Sequence, residues 1–60
     1  MFNEGDRFIE KDKSERVVCK KGRNGFTGEK CYLTYNKGFK TYSENEINSK
    51  ITNGEWEVKG

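Results

Sequence analysis

Sixty residues suffice for one small domain spanning 1–60, and a chain of this size buries only about 60% of the surface its unfolded state exposes. Leu, Ile, Val and Phe together number eleven, a thin supply for a core, but eight aromatics and a net charge of only +2 argue for a folded chain over a disordered one. No apolar run approaches the roughly 20 residues that span a bilayer, and the acidic lead-in Met1 to Asp6 is no secretory signal, so a cytoplasmic protein without membrane contact is expected.

Arg7 to Glu10 reads as a first strand, and Lys11 to Ser14 as a polar turn. A second strand runs from Glu15 to about Lys20, with Val17 and Cys19 on one face. Asn24-Gly25 is a strong hairpin signal because both positions tolerate positive φ. The third strand, Glu29 to Tyr35, alternates: Cys31, Leu33 and Tyr35 take one face, Lys30, Tyr32 and Thr34 the other. Asn36-Lys37-Gly38 is a three-residue hairpin loop, with Gly38 expected at the left-handed position, and Phe39 to Tyr42 is a fourth strand. Ser43-Glu44-Asn45-Glu46 has the form of a capping box, and Ile47 and Ile51 share one side of the short helix it would start. Thr52-Asn53-Gly54 stops that helix. Glu55 to Val58 then alternates as a last strand, with Trp56 and Val58 expected inward. This order predicts a mainly all-β fold, a small five-stranded SH3-like barrel with one short helical turn before the last strand.

Gly5-Asp6-Arg7-Phe8, the β-rich middle, and Tyr42-Ser43-x-x-Glu46 leading to Asn53-Gly54-Glu55-Trp56 resemble small phage and prophage accessory proteins with SH3-like barrels. The resemblance covers the whole chain, but its matched positions are turns, caps and core residues. It implies a protein that binds bacterial components, inhibitors of anti-phage defence among them, and it transfers no site residues.

Cys19 and Cys31 are twelve apart, and a hairpin centred on Gly25 would set them opposite one another, within disulfide range. In a reducing cytosol the expected state is two reduced, buried thiols. Two thiolates without histidine make only half a zinc site, so no metal and no other cofactor is expected. Without histidine or an activated-nucleophile motif the chain is not expected to be an enzyme.

Charge is uneven. Between residues 20 and 42 six cations (Lys20, Lys21, Arg23, Lys30, Lys37, Lys40) face one anion, Glu29, while the flanking segments are mildly acidic. Phe8, Tyr35 and Trp56 read as core; Phe2, Phe26 and Phe39 lie at the N-terminus or at turns, where exposure is expected. The candidate partner-binding set is therefore Lys20, Lys21, Arg23, Phe26, Tyr32, Phe39 and Lys40. It would serve a bacterial host protein, with a homodimer as a further source of burial. The alternative is nucleic acid held on the Lys20–Lys40 surface, since phosphate neutralisation and base stacking use cations and aromatics together.

Overall fold

The computed structural model describes residues 1–59. It has five strands and one helix: β1 (Arg7–Glu10), β2 (Glu15–Arg23), β3 (Lys30–Tyr35), β4 (Phe39–Ser43), α1 (Glu44–Thr52) and β5 (Trp56–Lys59). All pairings are antiparallel and the sheet order is β4-β3-β2-β1-β5. In a flat sheet the two edge strands would lie about 19 Å apart, four spacings of about 4.8 Å. Here Tyr42 of β4 and Trp56 of β5 meet edge to face, with ring centroids 5.0 Å apart. The sheet therefore curls on itself in the SH3-like manner the sequence predicts, and α1 packs against β3, β4 and β5.

The core is small and aromatic. Phe8, Val18, Tyr32, Tyr42, Ile47 and Trp56 are buried, with Ile51 packed beside them. Trp56 stacks on Phe8 at 5.4 Å. Phe2, a candidate for exposure, instead sets its ring against Phe8 and Tyr32 at 5.4 and 5.5 Å. Val58 shares the inward face of Phe8 and Trp56, as expected, but the core does not cover it. It pairs with Phe8 on an edge strand and is 58% exposed.

The faces of β3 are the reverse of expectation. Tyr32 and Thr34 are buried at 1% and 0%, and Tyr35 is 44% exposed. Both faces of this strand are partly apolar, so alternation alone cannot choose between them; hydrogen bonding does. Tyr32 fills the core with its ring and sends its hydroxyl to Glu44 at 2.6 Å. Thr34 donates to the Lys40 carbonyl at 2.7 Å and accepts from Arg16 at 3.0 Å. Both inward polar atoms are satisfied, which removes the penalty for burying them.

Register explains the cysteines. Val18 pairs with Thr34, but Lys20 pairs with Leu33, so Cys19 is the extra residue of a β-bulge and has no partner on β3. Cys31 stands opposite Gly22 instead. Both thiols are free and half-buried. The hairpin expected to centre on Gly25 centres further along, because Asn24 and Glu29 close the loop and β2 extends to Arg23.

In the β3–β4 loop the left-handed residue is Lys37 (φ 64°), not Gly38. Its neighbour Asn36 is pinned by bonds to Glu10 and Ser14 at 2.7 and 2.8 Å. The helix start agrees with the sequence: Ser43 caps Glu46, and Glu46 returns a bond to the Ser43 amide. No helix among the described residues is long and apolar enough to cross a membrane.

Candidate binding surfaces

Strand alternation fixes the outer face of the sheet. Val17 pairs with Tyr35 and Tyr35 with Phe39, so the three form one row across β2, β3 and β4. Tyr35 and Phe39 are 44% and 69% exposed and touch each other edge to face, centroids 4.9 Å apart. Leu33, half-buried, continues the apolar surface in the next row, between Lys20 and Thr41. Tyr35, which the sequence reads as core, belongs to this surface instead.

The β2–β3 hairpin carries a second surface. Residues 20–28 are all exposed. The tip is braced by its own polar groups: the Asn24 side chain accepts from the Phe26 and Thr27 amides at 2.8 and 3.1 Å, and Gly28 donates to the Asn24 carbonyl at 2.8 Å. Such self-bonded asparagines favour turns. Arg23 ties down the Gly28 carbonyl at 3.2 Å, and Gly28 itself sits at φ 72°. Phe26 projects from this scaffold fully exposed.

The bulge at Cys19 decides which cations share a face. Lys21 stands opposite Tyr32 and Arg23 opposite Lys30, on the side of the sheet that faces the core. Lys20 stands opposite Leu33, on the outer side. Among the described residues there are five ion pairs, and none uses Lys20, Lys21, Arg23 or Lys30. Lys21 makes only a long contact to the Asn3 side chain, at 3.5 Å.

At the base of the hairpin lies a bonded tyrosine–glutamate pair. Burial, and then the bond to Glu44, push the Tyr32 phenol above its usual range. The Tyr32 hydroxyl is in turn the main cause that holds Glu44 below the usual carboxylate range, with the N-terminal amine and Lys30 adding to it. Tyr32 therefore supports the fold and is removed from the candidate contacts, being only 1% exposed.

The remaining six candidates do not form one patch. Phe26 is at one end of β3 and Phe39 at the other. Lys40 pairs with Thr34 on the core-facing side, its ammonium 5.2 Å over the Tyr42 ring, away from the outer-face row that holds Phe39. A shallow depression of about 330 Å³ beside α1 is lined by Asn45, Glu46, Ser49, Lys50 and Glu55. Its carboxylates are engaged, Glu46 in the helix cap and Glu55 with Asn53 at 2.9 Å. Comparison of the chain with protein-family models, curated proteins and solved structures gave no match.

Proposed function

We propose that this chain is a non-enzymatic binding module that grips a bacterial protein in the host cytoplasm and blocks or redirects it. The observation that carries it is the Tyr35–Phe39 pair, two exposed aromatic rings in contact on the outer sheet face, in one row with Val17. Exposed apolar clusters on small domains mark interaction surfaces, and a few aromatic anchors carry most of the energy of an interface. Inhibition of an anti-phage defence system is the specific form of this proposal, and it draws on the resemblance of the turn and cap residues to phage accessory proteins.

The test is affinity capture from nuclease-treated bacterial lysate, with mass spectrometry of what is retained. One dominant protein is expected, weakened about 30-fold or more by Phe39→Ala or Tyr35→Ala, since anchor residues contribute about 2 kcal/mol or more. Circular dichroism should be unchanged, because both rings lie outside the core. Capture that ignores both substitutions sinks this surface as the contact. Light scattering over a dilution series separates the other occupant: a dimer abolished by Phe39→Ala would assign the face to a second copy of the chain.

A further inference from the structure

The hairpin poses a question the outer face does not answer. Arg23 and Lys30 are direct cross-strand partners, and like charges directly opposite destabilise a sheet. Lys21 adds a third cation on the same face, two pairs further from the tip. The other strands deal with their charges differently. Glu15 takes both Arg7 and Lys59, at 3.3 and 2.9 Å, and Glu10 takes Arg16 at 2.7 Å. Two carboxylates lie close to these cations: Glu29, beside Lys30 in the hairpin itself, is in none of the ion pairs of the described residues, and Glu44 is bound to the Tyr32 hydroxyl and forms no ion pair with Lys30. At the tip beyond these cations stands Phe26, its amide bound by Asn24 and its ring bare to solvent.

A face of three cations, none of them held in an ion pair, suits a ligand with regularly spaced negative charge. A fully exposed ring on a braced tip suits a flat partner that can lie on it. An acidic peptide satisfies the first feature and meets the second only where it also carries a flat side chain; a duplex offers charge, but its bases are stacked on each other. A single strand offers both, because its unpaired bases stack on aromatic side chains while cations track its backbone. We infer that the β2–β3 hairpin is a binding site for single-stranded nucleic acid, in which Lys21, Arg23 and Lys30 neutralise phosphates and Phe26 stacks on a base. This site is separate from the Tyr35–Phe39 surface and does not depend on the protein-binding proposal. It also excludes Lys20, Phe39 and Lys40, which the structure places elsewhere.

The experiment is fluorescence anisotropy with labelled 12-nucleotide single-stranded DNA, RNA of the same sequence, the matching duplex, and poly-glutamate as a competitor, from 25 to 200 mM salt. Binding of either single strand is expected, with a slope of log affinity against log salt near −2, about 0.7 for each of three phosphates. Lys21→Ala, Arg23→Ala and Lys30→Ala should each reduce that slope by about 0.7, and Lys20→Ala should leave it unchanged. Phe26→Ala should weaken binding by about 5- to 150-fold at constant slope. Because Arg23 also braces the tip, Lys21→Ala and Lys30→Ala decide the charge question if Arg23→Ala loosens the hairpin. Absence of binding at 25 mM salt overturns the inference. So does poly-glutamate competing as well as unlabelled strand, duplex binding that matches single-strand binding and ignores Phe26→Ala, or a slope that Lys20→Ala lowers as much as Lys30→Ala.

Discussion

Arg16 occupies an unusual place for a cation, 8% exposed over the rings of Tyr42 and Trp56, 5.4 and 5.7 Å from their centroids. Its guanidinium is tied to Glu10 at 2.7 Å and to Thr34 at 3.0 Å, and Glu10 also accepts from Asn36, so four residues from three strands and a loop share one network. Truncating one partner of a buried ion pair leaves the other uncompensated, typically at about 3–5 kcal/mol. Arg16→Ala is therefore expected to remove much of the stability of so small a domain, and urea unfolding would measure it; a loss below about 1 kcal/mol would show that the network is peripheral. Nothing in the sequence flags this arginine. It sits two positions from Val18 on the inward face, a pattern that an exposed strand arginine shares. Tyr32 was misassigned for a related reason, since its ring belongs to the core and its hydroxyl to the rim, and one letter does not say which end governs. Cysteine chemistry follows from register: both thiols should react with a thiol reagent in protein unfolded without reductant, and loss of either would contradict the unbridged state.

At the level of elements, what was legible was local. The capping box, the polar turn before Ser14 and the stop at Asn53-Gly54 depend on residues within a few positions, and α1 begins and ends where those residues require. Ser43→Ala should cost about 0.5–2 kcal/mol, seen as a lower midpoint in thermal or urea unfolding. Acid should act on the same groups. The hydroxyl and then the amide of Ser14, followed by Lys37, draw the Asp12 carboxyl down to about 2, and the Ser43 amide holds Glu46 below its usual value. Carboxylates depressed in the folded state stabilise it fully above their unfolded values near 4, and that stabilisation fades as pH falls through the folded ones. The melting temperature should thus be flat from pH 8 to 6 and decline between about pH 5 and 2. A midpoint unchanged at pH 3 would refute these pairings. Register, by contrast, was not legible. The pairing of Cys19 with Cys31 assumed a regular ladder, and both the bulge and the displaced loop lie in backbone geometry that side-chain alternation does not encode.

For the molecule as a whole, the order of strands and turns was enough to predict the curled five-stranded sheet, because each element is short and each connection tight. Closure depends on two residues 14 apart in sequence and on opposite edges of the sheet, Tyr42 and Trp56, with Phe8 stacked behind. Trp56→Ala would strip the rings of Phe8 and Tyr42 and the Arg16 guanidinium of their common neighbour. Large aromatic truncations cost about 3–5 kcal/mol, against total stabilities that begin near 5. The expected outcome is an unfolded or molten chain at 25 °C, read by loss of near-ultraviolet dichroism; retained cooperative unfolding would place the core's weight elsewhere. A thin core also adds weight to the proposed role of the outer-face aromatics, since burial gained from a partner would be large relative to what the domain buries alone.

Cys19, left without a partner by the bulge, has one more consequence. Losing a residue from a strand ordinarily turns every later side chain to the wrong face. Excising Cys19 would not: Val18 and Lys20 would become neighbours opposite Thr34 and Leu33, which are neighbours already, and each side chain would keep its partner and its face. The same excision at Leu33 would turn part of β3 over, exchanging Tyr32 or Thr34 for an outward residue. This protein can thus change length at one internal strand position more safely than it can change composition at many others, and a shortened chain with a straighter hairpin is a form its descendants can reach in one step.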